Sequence, residues 1–342
     1  MTWEEVRQKA REKLKGYCRV CSSCNGVACA GEVPGMGGIG TGSSFISNIK
    51  ALEAYKFNLT AIHNFKKPST DFQFLGQELA LPVMAAPITG ASYNMGGALT
   101  EDQYTEEVIA GSLLAKTLGW TGDGADPLMY NSGLQAIKNH QGKGIPIIKP
   151  RSQEEIVKKI RMAEEAGALA VGMDIDGAGL IIMAMKGQPV EPKTPKEIEE
   201  LVKATELPFI LKGIMTVKDA EIAYNCGVAC IVVSNHGGRV LDHTLGVAEV
   251  LPEIAFRLKG KITILADGGV RSGADVLKLL ALGADGVLIG RPVVTAVFGA
   301  GRDGLRILFE KIQKELIQCM LLTGVGSVKD VPSHILRKTH TS

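Results

Sequence analysis

Residues 229–239 read Ala-Cys-Ile-Val-Val-Ser-Asn-His-Gly-Gly-Arg. An apolar, β-branched run passes directly into a polar, glycine-rich turn. A continuous apolar run of this length reads as a strand buried on both faces, as in parallel sheets. Polar residues collected at its C-terminal end, rather than on alternate positions, point to chemistry where the strand stops.

Seven further runs of the same kind flank it: Leu81–Ala86, Gly119–Gly124 (the weakest), Ile145–Lys149, Leu169–Ile175, Pro208–Lys212, Ile262–Ala266 and Gly286–Ile289. Each gap is long enough for a helix, and the gaps carry helix starts. Ser152-Gln-Glu-Glu155 and Thr194-Pro-Lys-Glu197 have capping-box spacing, the second with proline at the first helical position. Thr216 and Ser272 open two more helices, and Gly167, Gly227 and Gly283 end helices just before a strand. Eight βα units in about 220 residues is the count of a (β/α)₈ barrel, the TIM-barrel fold. A doubly wound sheet has the same periodicity and stays open on that ground alone.

The bulk numbers agree with one large core. Of 342 residues, 45% are hydrophobic and 22% charged, and net charge is +2. That balance offers no nucleic-acid or membrane footprint. The start of the chain is a charged amphipathic helix capped by Thr2 and Glu5, not an apolar leader. No run approaches the ~18 apolar residues of a membrane span. The expected compartment is the cytoplasm.

Residues 1–80 read as an extension on the barrel of 81–342, within a single domain overall. The extension holds the first helix, a Cys- and Gly-rich loop, and a second helix near Ser47–Tyr55. Pro34–Gly42 is too glycine-rich for regular structure. Within the loop, four of the seven cysteines stand as Cys18-x2-Cys21-x2-Cys24-x4-Cys29. An odd cysteine total argues against a disulfide framework. Four thiolates within twelve residues suit an iron–sulfur cluster of the [4Fe-4S] kind or a tetrahedral zinc ion. The first three have bacterial ferredoxin spacing, though the last gap is one residue longer and alanine replaces the following proline. Farther along, Gly177–Lys193 is long for a βα loop and reads as a lid.

In a barrel, active residues sit where strands end. Those ends carry Lys149, Asp174 and Asp176, Lys212, Ser234 through Arg239, Asp267 through Arg271, and Gly290-Arg291. Gly268 and Gly269 allow close backbone approach, Ser272 opens a helix, and Arg271 and Arg291 add forked donors, which together suit a phosphate. The alternative is two surface arginines beside ordinary turn glycines. An imidazole at His236 near a carboxylate such as Asp176 can take a proton as general base. Arg239 can hold a substrate carboxylate, and Lys212 can stabilise negative charge on a reduced cofactor.

These residues resemble the FMN-dependent α-hydroxy-acid oxidase and dehydrogenase family, which includes glycolate oxidase and lactate oxidase. The likeness runs over Leu207–Pro292. It is carried by Leu-Lys-Gly-Ile at 211–214, Ser-Asn-His-Gly-Gly-Arg-Val-Leu-Asp at 234–242, Val-Leu-Pro-Glu-Ile at 250–254, Asp-Gly-Gly-Val-Arg-Ser-Gly at 267–273, and Gly-Ala-Asp-Gly-Val-Leu-Ile-Gly-Arg-Pro at 283–292. A weaker match over about 45–206 includes Met84-Ala-Ala-Pro-Ile88. The resemblance implies bound FMN and oxidation of a lactate-like 2-hydroxy acid to its 2-oxo acid. His236 would abstract the hydroxyl proton, paired with Asp176, while hydride passes to flavin N5. Arg239 would bind the substrate carboxylate and Lys212 would sit by flavin N1 and O2. Ser234 would contact the flavin, and Ala86, Pro87 and Ile88 would line one of its faces. Asp267, Gly269, Arg271, Gly290 and Arg291 would hold ribityl and phosphate. Family members are commonly tetramers or larger, so a homo-oligomer is implied.

The departures fall on the substrate side. The two tyrosines usual in the family are missing; one position falls in Gly35–Gly40 and the other near Lys149. A flavin-contacting Gln becomes Ile147, a strand-four Thr becomes Asp174, and the second substrate Arg has only Lys186 nearby. Lys149 is the candidate replacement anion contact, with a solvated rim lysine as its alternative. A cluster at the four cysteines would give electrons an exit to a protein or small-molecule acceptor, favouring a dehydrogenase over an oxidase. Two other readings are a flavin isomerase of the type 2 isopentenyl diphosphate isomerase kind, and a flavin or metal redox sensor without turnover.

Overall fold

The computed structural model describes residues 1–339. The last three positions of the expected 81–342 unit lie outside the described residues. Eight parallel strands close into a barrel. In chain order they are β1 (Val83–Ala85), β2 (Gly119–Thr121), β3 (Gly144–Ile148), β4 (Val171–Asp174), β5 (Phe209–Ile214), β6 (Cys230–Val233), β7 (Thr263–Ala266) and β8 (Gly286–Ile289). Each pairs with the next, and β8 closes the ring against β1. All eight expected runs are barrel strands. The closed ring removes the doubly wound alternative, since that sheet has two free edges.

The caps form as their spacing predicts. Ser152, Thr194, Thr216 and Ser272 each accept a hydrogen bond from the backbone N–H three residues on. Gly167, Gly227 and Gly283 all have positive φ after their helices.

Strand parity fixes which residues reach the barrel axis. Met84, Trp120, Ile145, Ile147, Ile210, Cys230, Val232, Leu265 and Leu288 form the interior layer. Their neighbours, such as Val83, Leu211, Ile231, Val233 and Ile264, pack outward against the helices. Because side chains alternate along a strand, the next inward positions are Ala86, Lys149, Lys212, Ser234, Asp267 and Gly290. The apolar floor therefore turns polar within one step on most of the strands.

The segment before the barrel is richer in strands than its sequence suggests. A hairpin of Phe72–Phe74 and Gln77–Leu79 plugs the opposite mouth, with Phe74 stacked 6.2 Å from Trp120. Tyr55–Phe57 pairs antiparallel with Leu336–Lys338. Three-residue strands are too short to show a period, and the partner of Tyr55–Phe57 is also remote in sequence. The second helix spans Ser43–Glu53, starting four residues before the expected boundary. The first helix, Trp3–Lys13, lies along the C-terminal helix Arg291–Thr323. A Cβ at Gly299 would stand 2.3 Å from the Val6 carbonyl oxygen, so the helices meet at bare backbone. Among the described residues, no helix is long and apolar enough to cross a membrane.

Candidate active site

The C-terminal mouth of the barrel opens into a cavity of about 240 Å³. Ala86, Pro87 and Ile88 line it after β1, Lys149 after β3, Lys212 from β5, and His236 and Arg239 after β6. Asp267, Gly268, Gly269 and Arg271 line it after β7, and Gly290 and Arg291 after β8. Ser234 is fully buried beneath them, and Asp176 stands behind His236 rather than in the wall.

His236 is held from two sides. Its backbone has φ of 58°, uncommon for a side-chain-bearing residue. Its N–H donates to Ser234 Oγ at 3.0 Å, which fixes the turn. Imidazole Nδ1 lies 3.1 Å from both Asp176 oxygens and 3.9 Å from Asp174. Nε2 is the ring nitrogen left for the cavity.

Asp176 reaches this position because β5 is irregular. The β5–β6 register shifts between Lys212 and Ile214, and Gly213 has φ of 99°. A Cβ there would lie 2.5 Å from the Asp176 carboxylate. The glycine thus supplies both a left-handed conformation and the space for the acid.

Two buried lysines converge on Asp174. Lys149 Nζ donates to Oδ2 at 2.7 Å, and Lys212 Nζ is 3.2 Å from Oδ1 and 3.7 Å from Asp267. Burial alone would raise the Asp174 carboxyl, but Lys149, Lys212 and His236 outweigh it and hold it well below the usual carboxylate range. Burial likewise opposes the Lys212 charge, yet Asp174, Asp267 and Asp176 keep its ammonium above the ordinary value. Asp267 is raised, by burial first, with Lys212 and Ser234 offsetting part of the shift. Asp174, Asp176 and His236 are, among the described residues, the one cluster of potential metal ligands within 4.8 Å of one another. Lys149 holds Asp174 Oδ2 and the Lys212 ammonium stands as an ion-pair neighbour of Oδ1, so two cations already offset this carboxylate and the cluster suits proton handling rather than an ion.

The phosphate-type end is crowded with cations. The guanidinium acceptors of Arg239, Arg271 and Arg291 are backbone carbonyls and the Asn94 amide oxygen, with no carboxylate among them. Burial, then Arg271 and Arg239, push the Arg291 guanidinium down to about 9. Arg271 Nη2 and Asp267 Oδ1 are buried without a hydrogen-bond partner. Gly268 and Gly269 both have positive φ. A buried, mutually repelling cation group beside bare backbone is the electrostatic shape of an anion site.

Several lining residues escaped the sequence reading. Tyr93 and Asn94 enter from the four-residue helix Ala91–Asn94 after β1, Met129 from the helix Pro127–Asn139, and Leu180 and Met183 from the expected lid. Asn94 Oδ1 accepts from Arg239 Nη2 at 3.1 Å, and Lys186 sits over the Tyr93 ring at 4.9 Å. Short connections and single helical turns carry no period, so only the fold brings these residues here. Asp123, after β2, accepts from the Lys149 backbone N–H at 3.0 Å and from Arg151 at 3.1 and 3.2 Å. Arg151 also bonds Gln188 of the lid segment. Charged residues just past a weak strand, at 123, and past β3, at 151, were the available signal. Lys149 lines the cavity, but its ammonium is engaged by Asp174.

The four cysteines lie elsewhere. Cys18, Cys21, Cys24 and Cys29 line a second cavity of about 490 Å³.

Comparison with known proteins bears on the family and the fold. A family model described as FMN-dependent dehydrogenase matches residues 35–181 and 182–338. The 4-hydroxymandelate oxidase of Amycolatopsis orientalis is 30% identical over 329 residues, covering 85% of this chain and 89% of that protein. The L-lactate dehydrogenase of Pectobacterium atrosepticum is 51% identical over 129 residues, but only 38% of this chain and 33% of that protein are matched. A crystal structure of mandelate oxidase superposes with a TM-score of 0.80 at 28% identity, covering 98% of this chain and 97% of that one.

Proposed function

Because the chain belongs to the FMN-dependent dehydrogenase family, an oxidoreductase family acting on α-hydroxy acids, we propose that His236 takes the hydroxyl proton of a lactate- or mandelate-like substrate at this mouth. The residues present fit FMN. The uncompensated buried arginines, the unpartnered Arg271 Nη2 and the glycines at 268, 269 and 290 suit its phosphate and backbone-facing edge. Bound there, FMN supplies the acceptor for the substrate's hydride.

The chain's own groups do the rest. Nδ1 of His236 donates to Asp176, which leaves the Nε2 lone pair facing the cavity as base. Once Nε2 is protonated, Asp176 at 3.1 Å and Asp174 at 3.9 Å hold the imidazolium. Lys212, kept charged, stabilises negative charge developing at the barrel floor. Arg239 spends three of its five donors on Gly35, Gly37 and Asn94, which orients the fork and leaves two for a substrate carboxylate. Met129, Leu180 and Met183 give the substrate's carbon side chain an apolar wall. Lys149 tunes the site through Asp174 and adds positive charge near the carboxylate.

The observation that carries this reading is the His236–Asp176 pair opening on the cavity. Anaerobic mixing with a panel of 2-hydroxy acids should bleach the flavin. His236→Ala should abolish bleaching with FMN still bound; reduction at the parent rate would overturn the role.

A further inference from the structure

The barrel chemistry makes no use of the four-cysteine loop, yet that loop is held by side chains from other parts of the chain. Arg7 donates to the Cys21 carbonyl at 2.7 Å and Arg11 to the Val20 carbonyl at 3.1 Å. Arg271 donates to the Cys24 carbonyl at 3.3 Å. The Val20 N–H points at Cys18 Sγ at 3.4 Å, through a backbone with φ of 46°. Gly26 packs on Phe45, whose ring also lies 3.6 Å under Arg291. None of the four cysteines forms a disulfide. All four line one cavity of about 490 Å³, far more than a single ion needs.

The size and charge of the cavity favour the polynuclear of the two metal readings. A tetrahedral zinc with arms of about 2.3 Å draws its sulfurs to about 3.8 Å from one another. A cavity of about 490 Å³ is larger than one such ion with four close sulfurs would fill. A polynuclear cluster puts each thiolate on a separate iron, so its ligands stand farther apart. The charge around the cavity suits a thiolate-ligated cluster. Arg7, Arg19, Arg271, Arg291 and Lys311 line it, against only Glu53 and Asp275.

We infer that Cys18, Cys21, Cys24 and Cys29 hold an iron–sulfur cluster of the [4Fe-4S] kind in this cavity. It shares a wall with the active-site cavity: Met36, Gly269, Arg271 and Arg291 line both. The two arginines therefore face an anion on each side, phosphate in one cavity and cluster in the other. That position makes the cluster the exit for electrons, a role that rests on the hydroxy-acid reading, whereas the cluster site does not. Each oxidation releases two electrons and two protons. The electrons cross singly; the cluster is reduced by one and returns it to an external one-electron carrier before the next crosses. One proton leaves through His236 and the other from the reduced flavin, both to water.

The test uses the full-length FMN-loaded chain purified without oxygen. Iron and acid-labile sulfide should each approach about four per chain, with a broad absorbance near ~400 nm beneath the flavin bands. Cys21→Ser and Cys24→Ser should lose most of the iron while FMN stays stoichiometric, and Cys226→Ser should keep both. Stoichiometric zinc without iron would overturn the assignment. So would a parent chain that takes up no cluster on anaerobic reconstitution with ferrous iron and sulfide, a measurement independent of how the variants fold. For the relay, a hydroxy acid that bleaches the flavin should also reduce the cluster in the parent and not in His236→Ala, while dithionite reduces both. A cluster reduced by dithionite but by no bleaching substrate would overturn the relay and leave the site standing. Failure of every hydroxy acid to bleach the flavin would count against the substrate reading alone.

Discussion

Replacing Asp176 with Asn tests the proton-handling pair with little change of shape. The carboxylate stands 3.1 Å from His236 Nδ1, and the two side chains are 16% and 18% exposed. At that separation the ion pair of the protonated state is worth about 5 kcal/mol at an effective dielectric of about 20, and about 1 kcal/mol in bulk water. Partial exposure places the effect between these limits, near 3 kcal/mol, or about 100-fold in rate. Asp174, at 3.9 Å, keeps the loss from being total. Asn adds a second penalty. Its amide can donate to Nδ1, favouring the tautomer with the proton on Nε2, where the base needs a lone pair. The expected outcome is a flavin-reduction rate at saturating substrate at least about 100-fold lower, read by anaerobic stopped-flow absorbance, with FMN content unchanged. A rate within about threefold of the parent would refute the reasoning, because the pair would then contribute almost nothing to the step.

Three further predictions follow from other contacts. Gly213→Ala should act like a milder Asp176 variant: a Cβ 2.5 Å from the carboxylate displaces it, and φ of 99° adds strain, so both reduction rate and melting temperature should fall. Arg271→Ala should weaken FMN binding by roughly 1.5–3 kcal/mol, about 10- to 150-fold, in fluorescence titration, and added phosphate should compete less well for the variant than for the parent. Asp242→Asn should loosen the join between the glycine-rich loop and the β6 turn. Burial favours the neutral form of Asp242, but bonds from Thr41, His243 and Ser44 hold its carboxyl down to about 2. A depressed acid stabilises the fold above its unfolded value, near pH 4, and that contribution is lost as pH falls toward 2. The parent should therefore melt higher than the variant at neutral pH, with the gap closing between about pH 4 and 2.

Much of the fold was legible because the barrel strands are buried on both faces. Burial wrote each as a continuous apolar run, and each helix start carries its own cap. The short strands at Tyr55–Phe57, Phe72–Phe74, Gln77–Leu79 and Leu336–Lys338 left no such mark, since three residues cannot display a period, and the pairing of the first with the last across 281 positions is invisible locally. The site divides the same way. Lys149, Lys212, Ser234 and Asp267 could be found as polar residues ending apolar runs. Tyr93, Asn94, Met129 and Leu180 could not, because positions in short connections and in the first turn of a helix acquire meaning only from where the strands aim them.

The chain by itself therefore determined the eightfold repeat, the rim of charged strand ends that includes His236, and the four thiols at ligand spacing. These are local facts, written in neighbouring residues. Only the tertiary structure decided that Asp174 is shared by two lysines, that Gly213 makes room for Asp176, and that two cavities meet at Arg271 and Arg291. Each of these is a contact between elements remote in sequence. Its energy depends on distance and burial, which exist only once the barrel has closed.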